Sequence, residues 1–173
     1  NIGVPVVCGT TGWYNKAEEM ENLFKEHNGC LLYSSNFSIG VNLFFKINKL
    51  VAKLMSKQPE YKVSMEEIHH TQKLDAPSGT AISLAQGIIE ESDYLDWALK
   101  HTVPPHQQTI EIDALRIENV PGTHSITYDS DIDAIEIKHI AHNRKGFALG
   151  AVVAAEWLVG KKGVYTIKEV LNL

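Results

Sequence analysis

The chain has only two cysteines, Cys8 and Cys30, both inside apolar strand-like runs, so there is no disulfide framework and a reducing cytoplasm is the expected compartment. No run of eighteen apolar residues offers a membrane span, and the opening residues lack the basic-then-apolar order of a signal peptide. No Lys/Arg-rich stripe stands out, and a formal net charge of -5 argues against a nucleic-acid surface. Internal repeats and low-complexity tracts are absent. Missing too is G-x-G-x-x-G behind a first strand, the fingerprint that seats a dinucleotide's pyrophosphate on a helix start. What is present is a globular composition, 44% hydrophobic over 173 residues, enough to bury a normal core in one domain, or one and a part.

Polar function concentrates between His69 and Thr80, in the order His-His-Thr-Gln-Lys-Leu-Asp-Ala-Pro-Ser-Gly-Thr. An alternating run over 61–68 predicts a strand before it, and a helix begins near Thr80 and runs to about 91. Successive strand residues point to opposite faces, so His69 and His70 cannot both enter the core. Pro77 bars a helix at Ala76 and Ser78 is a good N-cap, which predicts free amides at Gly79, Thr80 and Ala81 and hence an anion site. Lys73 adds a positive charge, and a histidine moves a proton near neutral pH. Read singly, Ser78-Gly79-Thr80 is a helix cap and Lys73 a solvated charge; together they suit a substrate carrying carboxylates.

From the start, residues 4–8 form an apolar run into Gly9-Thr10-Thr11-Gly12, the grammar of a buried parallel strand entering a tight turn. A helix over 15–26 and a strand over 30–34 follow, giving strand-helix-strand. A helix over 39–56 carries Val41, Phe44, Phe45, Ile47, Leu50, Val51 and Leu54 as its apolar face and Lys46, Lys49 and Lys53 as its polar one. Residues 92–109, with His101, Pro104, Pro105 and His106, read as an irregular surface loop or lid. Three strands over 110–116, 122–128 and 133–140 then join the 61–69 strand. Helices cover one side of that sheet, and apolar residues left on the other would favour association between subunits. His139 and His142 lie three apart on a strand and face opposite ways, so no metal site is expected. A helix over 146–159 contains Gly146-x-x-x-Gly150, a spacing that predicts close packing against a neighbour.

The His69 to Thr80 run resembles the signature of the 4-hydroxy-tetrahydrodipicolinate reductase family, also called dihydrodipicolinate reductases, NAD(P)H-dependent enzymes of the diaminopimelate route to lysine. Cys8-Gly9-Thr10-Thr11-Gly12-Trp13 and Ser34-Ser35-Asn36-Phe37-Ser38-Ile39-Gly40-Val41-Asn42 are similar to the same family in the same order. The resemblance implies that His69 gives or takes a proton, that Lys73 donates one, and that His70, Ser78, Gly79 and Thr80 hold substrate carboxylate. It implies that Gly9, Thr10 and Thr11 touch the nicotinamide part of NADPH or NADH, that Ser34, Ser35, Asn36 and Phe37 line the same crevice, and that Arg144 contacts the cofactor. Subunits are expected to join as a homotetramer through the sheet.

The expected fold is α/β. Residues 1–36 are the C-terminal remnant of a Rossmann-like dinucleotide-binding domain, and 37–160 are an α+β substrate-binding and oligomerisation domain with a mixed four-stranded sheet. Residues 161–173 return to the dinucleotide-binding domain. Because the family carries its glycine fingerprint ahead of the point matching Asn1, the chain is expected to begin inside the cofactor domain. Two other readings stay open: another Rossmann-type imine or keto-acid reductase, and a non-catalytic oligomerisation or ligand-binding module.

Overall fold

The computed structural model describes residues 3–102 and 108–173. They form two compact units, Asn1–Leu43 with Arg144–Leu173, and Phe44–Asn143.

In the first unit, β1 (Val6–Cys8), α1 (Ala17–Glu26) and β2 (Cys30–Tyr33) make a strand-helix-strand turn, with a 3-10 turn at Tyr14–Lys16 before the helix. The strands run parallel, Val6 beside Leu31 and Cys8 beside Tyr33, and α1 supplies the crossover that parallel pairing requires. A third parallel strand, β8 (Gly163–Tyr165), lies on the far side of β2. β2 is therefore central, which is why Cys-Leu-Leu runs without alternation: all three are buried. Among the described residues β1 lies at the edge of this sheet, and Val6 is 40% exposed, less buried than the sequence pattern predicts.

Leu32 and Phe37 share a core with Ala154 and Leu158 of α4 (Lys145–Leu158) and Ile167 of α5 (Ile167–Leu171). Helix α4 thus packs in the first unit, whereas the sequence reading, with its boundary at residue 160, put it in the second. The physical reason is Gly150. A Cβ there would stand 1.7 Å from the Phe37 carbonyl oxygen, so only glycine lets the helix come down on the loop after β2. This is the close packing that Gly146-x-x-x-Gly150 predicts.

The second unit is built on a five-stranded mixed sheet in the order β4-β5-β3-β6-β7, with β3 (Lys62–His69), β4 (Asp96–Leu99), β5 (Thr109–Arg116), β6 (Gly122–Asp129) and β7 (Ala134–Ala141). β3 pairs parallel with β5 and antiparallel with β6. Four strands were expected; the fifth, β4, lies in the stretch read as irregular. Asp-Trp-Ala-Leu is a four-residue edge strand, too short to show a period. Pro104, Pro105 and His106 of that stretch lie outside the described residues.

One face of the sheet presents Val63, Met65, Ile110, Ile112, Ile126 and Tyr128 to α2 (Ile39–Met55) and α3 (Gly79–Ile89), which contribute Phe44, Ala52, Leu84 and Ile88. Each large apolar side chain buried here contributes about 1.5–3 kcal/mol. The inward stripe of α2 is narrower than its apolar sequence suggests: Val41, Phe44, Asn48 and Ala52 are buried, while Ile47, Leu50 and Leu54 are exposed. Asn48 is tolerated in the core because its amide donates to the Leu84 carbonyl at 2.9 Å. The opposite sheet face also differs from expectation. Its middle is polar, with Ser64, Glu66, Glu111, Asp113, Ser125, Thr127 and Glu136 around a shallow hollow, and Ile140 exposed toward one end. Among the described residues no helix is long and apolar enough to cross a membrane.

The Gly150 contact yields a direct test. Gly150→Ala should destabilise the chain by about 3 kcal/mol in urea denaturation, because the clash is with backbone that cannot rotate away. Gly146→Ala, whose added carbon meets only Ser38 Oγ at 3.7 Å, should leave stability unchanged or raise it slightly.

Candidate active site

Strand β3 alternates Val63, Met65, Glu67 and His69 onto its buried face. The last two inward positions are thus polar, and they organise everything around them. Glu67 has no exposed surface. Its two carboxylate oxygens each accept from the Ser78 amide at 3.1 Å, and Arg116 Nη2 donates to Oε1 at 3.1 Å. Arg116 reaches it because β5 runs parallel to β3 with Arg116 in register beside His69. His124 sits directly opposite Glu67 on β6. Its Nε2 lies 3.6 Å from Glu67 Oε2 and 3.2 Å from Ser78 Oγ.

Burial alone would raise the Glu67 carboxyl; the adjacent His124 imidazole and the Ser78 hydrogen bonds, with the charge that His69 takes on in acid, hold it down at about 2. His69 is pushed the other way. Burial lowers its imidazole to about 4, against the pull of Glu67. Its Nδ1 is 3.4 Å from Glu67 Oε2 without hydrogen-bond alignment, and its ring meets His124 edge-on at 5.0 Å. Near neutral pH His69 is therefore an uncharged imidazole.

Glu67, His69 and His124 are close enough together for a cation. The donor set reads otherwise, because Arg116 already neutralises the carboxylate and a divalent ion beside a guanidinium would leave excess buried charge.

Beyond β3 the chain turns. The Lys73 amide donates to the His70 carbonyl at 3.1 Å, and His70, just past the strand's end, is half-buried with Nδ1 unpartnered. Lys73 is not a solvated charge standing alone: its Nζ contacts both oxygens of Asp75 at 2.8 Å. That hydrogen bond holds the Asp75 carboxyl below its ordinary value. The Asp75 side chain is 59% exposed and that of Lys73 22%, so solvent screens the pair from the Asp75 side and an arriving carboxylate can compete for the ammonium.

Ser78 caps α3 as expected, with Oγ accepting from the Ala81 amide at 3.2 Å. Two expectations are corrected by this. The Ala81 amide is taken by the cap, and the Ser78 hydroxyl, 2% exposed and shared with His124, does not face solvent as a substrate ligand. The Gly79 and Thr80 amides keep no partner among the described residues, and Gly79 is exposed. Those two are the free donors of the helix start.

In the first unit, Gly9, Thr10 and Thr11 follow the carboxyl end of β1, and Ser34, Ser35, Asn36 and Phe37 follow that of β2. The Ser34 amide donates to the Cys8 carbonyl at 3.1 Å, and a Cβ on Gly9 would touch the Phe37 ring at 3.4 Å, so the two loops adjoin. Thr10 and Thr11 are exposed; Thr10 is braced by Trp13 Nε1 on its carbonyl at 2.9 Å. The second loop is braced from within, since the Asn36 side chain accepts from the Ser38 amide at 2.8 Å and Asn42 donates to the Asn36 carbonyl at 2.9 Å. Arg144 is exposed at the N-cap of α4. The carboxyl ends of adjacent parallel strands are where open α/β sheets take nucleotides.

Glu67, Arg116 and His124 escaped the sequence reading. A signal for Glu67 existed: the alternation that buries Val63 and Met65 also buries Glu67, and a buried carboxylate demands a cation. Nothing local marks Arg116, whose role follows only from its register beside β3.

A parallel strand-helix-strand unit, together with a mixed-sheet unit carrying histidines, a lysine and free helix-start amides at one strand end, is the make-up of the two-part α/β reductases. Comparison with known proteins makes the class particular. A family model described as "Dihydrodipicolinate reductase, C-terminus" matches residues 40–171. The chain is 51% identical over 170 residues to a 4-hydroxy-tetrahydrodipicolinate reductase of Christiangramia forsetii, covering 98% of this chain and 70% of that protein. It is 36% identical over 174 residues to one of Methanosarcina mazei, covering 99% and 65%. Among solved structures, the dipicolinate-bound dihydrodipicolinate reductase from Paenisporosarcina sp. TG-14 superimposes with a TM-score of 0.72 at 26% identity, over 94% of this chain and 63% of that one. The chain belongs to the dihydrodipicolinate reductase family, and it spans about two thirds of the length of these relatives.

The electrostatics of β3 predict acid sensitivity with a definite sign. Unfolded, a histidine of ordinary value 6.5 takes up a proton that buried His69 refuses until about 4, so stability falls as pH drops from 6.5 towards 4. Glu67, ordinarily 4.5 and held at about 2, contributes stability above 4.5 that is lost as pH falls towards 2. His139, also lowered by burial, adds in the same direction as His69. Urea titrations from about pH 7.5 to about pH 3 should show both losses, and His69→Gln should flatten the upper one and, by removing a charge that helps hold Glu67 down, shrink the lower.

Proposed function

We propose that this chain carries the substrate-handling part of an NAD(P)H-dependent reduction of 4-hydroxy-tetrahydrodipicolinate to tetrahydrodipicolinate, a step towards diaminopimelate and lysine in the cytoplasm. Phe44–Asn143 is then the substrate and assembly unit, and the first unit belongs to the dinucleotide-binding domain. The observation that carries this reading is the loop from His69 to Thr80, which gathers two imidazoles, an ammonium and two unpaired helix-start amides on one strand end. The names of the relatives support it, as does the ligand of the Paenisporosarcina protein, a ring dicarboxylate.

The roles follow from the chemistry of each group. The Gly79 and Thr80 amides and His70 hold carboxylate, and charge-assisted bonds of this kind contribute roughly 1.5–3 kcal/mol each. Lys73, aimed by Asp75, donates a proton to the ring; His69, neutral at working pH, is poised to take or pass one on. Gly9, Thr10, Thr11, Ser34, Ser35, Asn36, Phe37 and Arg144 hold NADPH or NADH, which when bound supplies the hydride. Reduction with loss of the 4-hydroxyl as water balances the hydride and the proton. The sheet face opposite α2 and α3 is the surface through which four copies assemble.

Two measurements test these roles. In the full-length enzyme, Lys73→Ala should lower kcat by about 10²-fold or more while the thermal midpoint holds, and a turnover close to wild type would remove Lys73 from the catalytic centre. Sedimentation should give a mass near four chains, and a monomer at micromolar concentration would count against assembly through the sheet.

A further inference from the structure

The loop from Lys73 to Ser78 is fastened at both ends to one buried ion pair. At its start, Arg116 Nη2 donates to the Asp75 carbonyl at 2.6 Å and Nε to the Lys73 carbonyl at 3.4 Å. At its finish, the Ser78 amide donates to both oxygens of Glu67. Arg116 and Glu67 meet at 3.1 Å, with Arg116 Nη1 steadied by the Leu115 carbonyl at 2.7 Å. The loop, the guanidinium and the carboxylate therefore close into a ring.

We infer that Arg116 and Glu67 are positioning residues whose ion pair sets the separation between the Lys73 ammonium and the Gly79 and Thr80 amides. The assignment rests on the functional reading above, since it is the dicarboxylate that must span those two groups. Neither residue need touch substrate. Glu67 has no exposed surface, and the Arg116 side chain presents only a minor part of its own. The charge pair is better suited to this than a neutral one. A guanidinium fork can hold two carbonyls and a carboxylate at once in a fixed plane, where a lysine could hold them only as a point charge. With no solvent around it, the carboxylate depends on the fork, the Ser78 amide and His124 for its partners, so loop, strand and cap hold or fail together.

The experiment separates loop order from catalysis. In the full-length enzyme, Arg116→Ala should lower kcat/KM for the imine dicarboxylate about 10²-fold, with KM raised, kcat lowered and NAD(P)H affinity unchanged within about twofold. Amide hydrogen exchange at residues 73–78 should speed up about tenfold or more, while exchange in β6 and β7 keeps its rate. Millimolar guanidinium ion should restore part of the activity of Arg116→Ala, and more of it than Arg116→Lys retains. If Arg116→Ala fails to fold, Arg116→Lys carries the same two readouts. Activity within about threefold of wild type, or lost activity with unchanged exchange at 73–78, overturns the positioning role. Exchange is read without substrate, so a wild-type enzyme that reduced no imine dicarboxylate would defeat the proposed reaction while leaving the loop measurement to decide the ring.

Discussion

A carboxylate with no solvent around it has to be answered by the protein, and in the second unit everything near the catalytic candidates is arranged as that answer. Glu67 is matched by a guanidinium, a backbone amide and an imidazole, each from a different element: Arg116 from β5, Ser78 from the start of α3, His124 from β6. Removing one partner from such a group costs far more than the pair contributes over an apolar replacement, so the arrangement is a constraint before it is a source of stability. Its cost is offset by the apolar packing of α2 and α3 on the same sheet face.

The chemistry sits where it does because strand direction and register leave no other place for it. Parallel pairing of β3 with β5 brings Arg116 level with His69, and antiparallel pairing with β6 brings His124 level with Glu67. All of these lie at the carboxyl end of β3, where the chain leaves the sheet and enters the loop. In the first unit the same rule puts the Gly9 and Ser34 loops at the carboxyl ends of β1 and β2. Polar backbone that cannot pair in a ladder becomes available to ligands at those ends.

What could be read from sequence was whatever depends on local order. The alternation over 61–68, the Ser78 cap and the glycine spacing in α4 each state a short-range rule, and the structure follows them. The errors came where long-range pairing decides. Asp96–Leu99 becomes a strand only because β5 lies beside it, and the Ala81 amide and Ser78 hydroxyl are committed to partners that the loop's own sequence does not announce. Strand by strand, the sequence pattern leaves apolar residues on the outer sheet face. Once registered, Glu66, Asp113 and Ser125 stand side by side across three strands. Lys73 shows an intermediate case: its charge was legible, its tie to Asp75 was not.

The first unit is assembled from two stretches of chain with the whole second unit threaded between them, and this bears on how the molecule is made. β8 pairs with β2 across about 130 residues, while Phe44–Asn143 is contiguous. On a ribosome adding roughly 5–20 residues each second, β2 emerges on the order of ten seconds before its partner strand exists. During that interval Leu31 and Leu32 lie on an unpaired edge, with α4 not yet available to cover them. The second unit can settle meanwhile, so the nascent protein carries one finished sheet while the Cys30–Tyr33 strand still lacks a neighbour.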